Sequence, residues 1–206
     1  MYTQLRIYTV NRDTMDGWIA WWHKYPKTIG ESVGQKVTGG WTNEDRSEFV
    51  WMRSYANAED AKVKDAAFAT HPEWVRIRPE PREFIAKAEV MPMVAESIEQ
   101  PTRFTPYAQL RVYTVNRGSM DEQLAIFRGE VIPLHKQNGH ILYGPWVNEA
   151  KTKMVWLRNY QSAADAKAKD DGLYETDAWK TLRPKLAHVA LADVKPIFAI
   201  PNIVNP

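Results

Sequence analysis

Residues Gln4-Leu5-Arg6-Ile7-Tyr8-Thr9-Val10-Asn11-Arg12 return 105 positions later as Gln109-Leu110-Arg111-Val112-Tyr113-Thr114-Val115-Asn116-Arg117. The offset holds without a gap. It pairs Met15-Asp16 with Met120-Asp121, Trp41 and Asn43-Glu44 with Trp146 and Asn148-Glu149, and Val50-Trp51 with Val155-Trp156. It still holds at Trp74 with Trp179 and at Arg78-Pro79 with Arg183-Pro184. Matches at one spacing over so long a stretch identify a tandem duplication, which settles the architecture before any single element is read. The junction falls near Ala95 to Pro106, where Pro101 and Pro106 bracket a polar stretch. The expected division is a first unit over residues 1–97, a linker over 98–104 and a second unit over 105–206.

Each half reads alike. Residues 2–10 alternate Leu5, Ile7, Thr9 against Arg6, Tyr8, Val10, a strand pattern. A helix follows. Ser119 with Glu122 fits a capping box, and Thr14 opens the same helix in the first half. Pro26 and Pro133 are expected to make its last part irregular. Residues 34–41 and 48–55 read as two strands joined by a turn at Asn43-Glu44-Asp45. Asn57 with Asp60, and Ser162 with Asp165, cap a second helix. A final strand spans about 84–93. The order β-α-β-β-α-β, twice, predicts an α+β fold of two tandem ferredoxin-like units. Strand residues Phe49, Trp51 and Tyr55 are apolar on one side and Val50 and Met52 on the other. A sheet apolar on both faces needs two covers. The expected arrangement is therefore two units packed sheet to sheet.

Composition narrows the function. Among 206 residues, Lys+Arg 27 against Asp+Glu 25 leaves a formal charge of +2, with no basic block to mark nucleic acid or an anionic membrane. No cysteine is present, which removes disulfides, thiolate nucleophiles and zinc-thiolate or iron–sulfur sites. No apolar run is long enough to cross a bilayer, and the N-terminal Met-Tyr-Thr-Gln-Leu-Arg lacks a signal-peptide pattern, so a cytoplasmic location is expected. No H-x-x-x-H, G-x-S-x-G, G-x-G-x-x-G or P-loop occurs, so no metal site and no cofactor are expected. A single axial histidine leaves no spacing signature, so haem stays open.

The motifs Leu5-Arg6-Ile7-Tyr8-Thr9-Val10, Met15-Asp16, Gly39 to Trp41, Val50-Trp51-Met52-Arg53-Ser54-Tyr55, Asp60, Pro72-Glu73-Trp74 and Arg78-Pro79 resemble the NIPSNAP family. The second copy departs at Asp177-Ala178-Trp179. The resemblance implies a dimeric α/β-barrel fold, usually made by two chains and here by two halves of one. Families related to it include cofactor-free oxygenases, isomerases and lyases, haem proteins and members without known chemistry.

The repeat serves as an internal comparison: residues equal in both halves belong to the scaffold, and residues that differ mark where a site can specialise. Trp41, Trp51 and Trp74 pair with Trp146, Trp156 and Trp179 and read as core. Arg6 with Arg111, and Arg53 with Arg158, sit mid-strand and need partners, either in the protein or on an anionic substrate. Trp18, Trp21 and Trp22 have no Trp opposite them and, with Tyr25, wrap helix 1 in aromatic surface. They suggest a pocket between helix 1 and the sheet for a planar apolar ligand, or an oligomer contact. Arg6, Tyr8, Arg111 and Tyr113 complete the candidate binding set. All five histidines are unpaired across the repeat. His23, inside the Trp cluster, and His135 and His140, flanking Gly139, are the acid–base candidates, with Glu130 and Tyr143 as helpers.

These readings converge on a cofactor-independent lyase or isomerase that moves a proton on a small aromatic molecule. The alternatives are a non-catalytic small-molecule or protein-interaction scaffold and a cofactor-free monooxygenase. The partner expected is a small aromatic molecule. Nucleic acid and membrane are not expected, and a homo-oligomer is allowed for.

Overall fold

The structure, a computed structural model, describes residues 1–96, 105–201 and 203. The proposed linker 98–104 lies outside the described residues. The chain forms two compact units: Met1–Met93 together with the chain end from Ala199, and Val94–Phe198. Each is described by itself.

In the first unit β1 (Tyr2–Val10) leads into α1 (Met15–Trp22) and α2 (Thr28–Ser32), then β2 (Lys36–Thr42), β3 (Glu48–Tyr55), α3 (Ala58–Thr70), α4 (Pro72–Ile77) and β4 (Ile85–Ala95). The second repeats this as β5 (Tyr107–Val115), α5 (Met120–Ile126), α6 (Ile132–Gln137), β6 (Ile141–Val147), β7 (Lys153–Tyr160), α7 (Ala163–Glu175), α8 (Asp177–Leu182) and β8 (Val189–Ala199). The sheets are antiparallel, and the strand order β8-β5-β7-β6 of the second unit is the ferredoxin-like order. In the first unit β3 lies between β1 and β2. The expected α+β architecture of two β-α-β-β-α-β units is what the chain adopts. The last residues of β4, Val94 and Ala95, pair with Val147 and Trp146 inside the second unit. The Ile200 amide bonds the Gly40 carbonyl inside the first.

Register decides what faces the helices. Arg6 lies opposite Trp51, Tyr8 opposite Phe49 and Gln4 opposite Arg53, so these six share one side of the sheet. Leu5 opposite Met52 and Ile7 opposite Val50 take the other side. The helix-facing core of the first unit gathers Met15, Trp18, Trp22, Phe49 and Trp51. The second gathers Met120, Phe127, Met154 and Trp156 in the matching places, and adds Leu124, the counterpart of Ile19. Of the six paired tryptophans, Trp41, Trp51, Trp146 and Trp156 are buried as expected, whereas Trp74 and Trp179 are half-buried on α4 and α8. Trp41 explains a glycine. A Cβ on Gly39 would stand 2.0 Å from the Trp41 ring, so the indole lies across the strand only because position 39 has no side chain.

Of two local expectations, the irregular end of the first helix is found and the cap at its start needs correction. Between α1 and α2, and between α5 and α6, the helix widens into π-helical turns at His23–Lys27 and Phe127–Val131. Pro26 lies inside the first. Pro133 lies beyond the second, in the first turn of α6, where its ring opposes the carbonyl four residues back, inside the π turn. The capping box at Ser119 does not form: neither Ser119 nor Thr14 caps its helix through the side chain, and the Thr14 hydroxyl instead donates to the Asn11 carbonyl. Asn57 and Ser162 do cap, accepting from the Asp60 and Asp165 amides at 2.9 and 3.1 Å. Asp60 and Asp165 reach back to the amides of Ala56 and Gln161, completing reciprocal caps.

Asn57→Ala and Ser162→Ala should therefore each cost about 1 kcal/mol in urea unfolding, while Ser119→Ala should cost less than half as much. Equal losses at all three positions would contradict the assignment.

Candidate functional site

Helix α1 sorts its aromatic residues by spacing. Met15, Trp18 and Trp22 are buried against the sheet. Trp21 and Tyr25 turn sideways. Trp21 stacks on Trp18 at 5.5 Å, meets Tyr25 at 5.4 Å and Trp74 at 6.3 Å, and donates its indole N–H to Glu80 at 2.7 Å. The aromatic excess thus divides between a wall and a helix-to-helix brace.

The wall belongs to a cavity of about 400 Å³ between the sheet and helices of the first unit. Arg6, Tyr8, Trp51 and Arg53 form its floor, with Trp18, Trp22, Phe68 and Trp74 around it, Asp65 on α3 and Arg78 at α4's end. Phe68 and Trp74 meet at 4.7 Å. Two guanidinium groups lie over one indole: Arg6 at 5.2 Å and Arg53 at 4.4 Å from the Trp51 ring centre. Three arginines against one carboxylate make the lining electropositive.

A polar relay runs beneath the rings. Arg6 donates to the Tyr8 hydroxyl at 2.9 Å and to Gln4 Oε1 at 2.7 Å. Gln4 Nε2 donates to Asp65 at 2.7 Å. Asp65 Oδ1 also accepts from Gln35 and from the Tyr55 hydroxyl, each at 2.7 Å. Burial raises the Tyr55 hydroxyl pKa to about 12, so it stays a donor. The Tyr8 hydroxyl accepts from Arg6. Asp65 was missed in the sequence, although the repeat preserves it as Asp170.

The second unit builds the same hub and then closes it. Asp170 accepts from Gln109, His140 and Tyr160 at 3.0, 3.0 and 2.7 Å. Arg158 donates to Asp170 at 2.8 Å and to the Tyr174 hydroxyl at 2.9 Å. Arg53 is 3.6 Å from Asp65, beyond hydrogen-bond reach, and the first unit has Ala69 at the position of Tyr174. The charges respond accordingly. Burial and then Arg6 lower the Arg53 pKa. Burial acts the same way on Arg158, but Tyr174, Tyr160 and Asp170 outweigh it and raise that pKa. Desolvation would raise Asp170, yet His140, Arg158, Tyr160 and Gln109 together hold it well below the usual carboxylate range.

Of the sequence-chosen residues, the cavity unites Arg6, Tyr8, Trp18 and Trp22. Trp21 and Tyr25 stand behind its wall. His23 is half-buried with its ring edge-on to Trp22 at 5.4 Å, and burial and then Lys27 lower its pKa. Arg111, Tyr113, His135, His140, Glu130 and Tyr143 lie in the second unit. Arg111 and Tyr113 repeat the Arg6–Tyr8 bond at 3.3 Å. His140 takes the bond that Gln35 makes in the first unit, and His135 stands where the first unit has Gly30. The His135 ring is wholly buried, bonds the Val131 carbonyl at 2.7 Å and meets Trp156 and Trp179 at 5.8 and 5.9 Å. Glu130 pairs with Lys185 at 2.6 Å at the surface, and burial raises the Tyr143 hydroxyl pKa. Among the described residues, no three His, Asp or Glu side chains gather as metal ligands would.

Burial holds the His135 pKa down to about 3, with Arg158 adding to the effect. The folded chain then refuses a proton that the unfolded chain accepts below about 6.5. Stability should fall as pH drops from about 6.5 toward 5, by up to about 1.4 kcal/mol per pH unit from this ring, a window in which Asp170 is ionised in both states. His135→Gln should flatten that slope in urea titrations; an unchanged slope would contradict the buried neutral ring.

No helix among the described residues is long and apolar enough to cross a membrane. None of the curated proteins matches the sequence. Solved structures share the fold. An "anthrone oxidase-like protein" is 15% identical over 97% of this chain and 91% of its own, with a TM-score of 0.66. Two structures called "putative monooxygenase" have TM-scores of 0.64. One, from Lactobacillus acidophilus NCFM, is 11% identical over 95% of this chain and 92% of its own. The other, from Fusobacterium nucleatum subsp. nucleatum ATCC 25586, is 13% identical over 96% of this chain and 91% of its own. At such identities the likeness is one of fold. The family model NIPSNAP matches residues 2–98. This match coincides with the first copy of the repeat and with the unit that holds the cavity, so it is the first half of the chain that is similar to NIPSNAP family proteins.

Proposed function

We propose that the first unit binds a small planar aromatic molecule in its cavity and acts on it as a cofactor-free enzyme of the lyase or isomerase class. The observation that carries this reading is the lining: Tyr8, Trp18, Trp22, Trp51, Phe68 and Trp74 around Arg6 and Arg53. The rings offer stacking and edge contacts to a flat ligand. The guanidinium groups, held away from bulk water, stabilise an oxyanion as it develops. Moving a proton on an aromatic ketone or phenol passes through such an enolate or phenolate. Tyr8, its oxygen fixed by Arg6, exchanges a proton with the substrate oxygen. The role first suggested for His23, His135 or His140 passes to Tyr8 in this reading, because none of the three histidines stands on the cavity wall.

A second reading, a cofactor-free monooxygenase, starts from the same anion. It is favoured by what the structures of similar fold are called. A screen of aromatic ketones and phenols for tryptophan-fluorescence quenching should find ligands, and Trp22→Ala should weaken their binding more than the matching Phe127→Ala. With a substrate in hand, Tyr8→Phe should lower kcat by about 10²–10⁴ with little change in KM. His→Gln changes at positions 23, 135 and 140 should leave turnover intact. Product formed without oxygen uptake selects the lyase or isomerase; stoichiometric oxygen uptake selects the monooxygenase. Ligands recovered unchanged under both conditions would overturn the enzymatic reading.

A further inference from the structure

The two copies of the arginine on the third strand of each unit differ in one respect, which identifies the chemical group that the cavity receives. Arg158 has two oxygen partners on one nitrogen: Asp170 lies at 2.8 Å from its Nη1 and the Tyr174 hydroxyl at 2.9 Å from the same atom, while its Nε has none. Arg53, 5% exposed, keeps the aromatic contacts of its counterpart, over Trp51 at 4.4 Å and over Phe68 at 5.1 Å. It lacks both oxygen contacts at hydrogen-bond distance, since Asp65 is 3.6 Å away and Ala69 replaces Tyr174. The Tyr55 hydroxyl remains as its oxygen neighbour, and a buried guanidinium so sparsely partnered is costly. Here it lines a cavity large enough for a ligand.

The replacement is concerted. The second unit has Leu173-Tyr174, and the first has Phe68-Ala69. In the second, the Tyr174 ring packs on Trp179 at 5.1 Å and its hydroxyl caps Arg158. In the first, the Phe68 ring packs on Trp74 at 4.7 Å and carries no hydroxyl. The ring contact is retained and the oxygen is removed. Elsewhere Gly30 stands where the second unit has His135, and the Gln35 side chain takes the space beside it. The exchange at position 69 takes an oxygen away from the first unit's arginine.

We propose that Arg53 is the anchor for an oxyanion, and that the ligand of the cavity is a planar aromatic acid whose carboxylate occupies the place that the Tyr174 hydroxyl takes on Arg158. This rests on the reading of the cavity as an aromatic-ligand site and adds the charge of the ligand to it. The planar fork of Arg53 suits a carboxylate, which accepts two parallel N–H bonds. Arg6, over the same indole, supplies the second positive charge.

The test uses the full chain and matched probes: benzoate, salicylate and 1-naphthoate, each beside its neutral carboxamide, with affinities from calorimetry. At least one carboxylate should bind about tenfold or more tightly than its amide, as expected of charge-assisted hydrogen bonds. Arg53→Gln should abolish the difference. The paired change Phe68→Leu with Ala69→Tyr, which transplants the second unit's own cap, should do the same while the chain melts normally. Ala69 is exposed on its helix, which favours folding of that variant even where Arg53→Gln fails to fold. Equal binding of acids and amides, or an acid preference that survives the paired change, would overturn the anchor and leave the aromatic cavity standing. If none of the six probes binds, both the anchor and the cavity reading are overturned.

Discussion

Each unit depends on one carboxylate, the half-buried Asp65 on α3 and the buried Asp170 on α7, that ties a helix to the middle of its sheet. Such a group folds only if its oxygens are satisfied. The first strand supplies Gln4 or Gln109, the third strand supplies Tyr55 or Tyr160, and the segment before the second strand supplies Gln35 or His140. These bonds fix helix against sheet and thereby set the space between them. They also decide where the neighbouring arginine must go. In the second unit the arginine joins the carboxylate, and the hub closes on itself. In the first it stays short of Asp65, and the charge is left beside a cavity.

That difference gives the duplication a functional sense. The second unit is the balanced form: Arg158 has two oxygen partners, His135 fills the interior, and the ring of Tyr174 covers Trp179. The first unit exchanges bulk for glycine and alanine and gains indoles at Trp18 and Trp22. Aromatic surface without the polar caps is suited to a ligand that brings its own oxygen.

The repeat made the fold legible, because period-two strands, caps at Asn57 and Ser162 and the β-α-β-β-α-β order each appear twice in the sequence. The wall of the cavity was partly legible too: Trp18 and Trp22 stand out against Gln123 and Phe127, and Arg6 and Tyr8 lie on a visible strand face. The rest was hidden for physical reasons. Asp65 and Asp170 are equal in both copies, and equality was read as scaffold, which hid their part in the site. The sequence leaves Arg53 a partner either in the protein or on an anionic substrate, and only the structure shows the gap to Asp65. Gly30 and Ala69 act by what they lack, and small residues carry no motif. His135 and His140 looked like acid–base groups because they are unpaired. They are a joint replacement for Gly30 and Gln35: one fills a space and the other keeps a bond to the carboxylate. The helix caps were misjudged at Ser119 for a different reason, since a capping motif only permits the bond and the backbone at that turn does not aim the hydroxyl at it.

The central claim is that two copies of one scaffold hold a single working site. The most direct measurement is the binding stoichiometry of a quenching aromatic ligand, by calorimetry on the intact chain. One ligand per chain is the result the structure predicts. Two equivalent sites per chain would show that the second unit's closed hub opens as readily as the first, and would contradict the account.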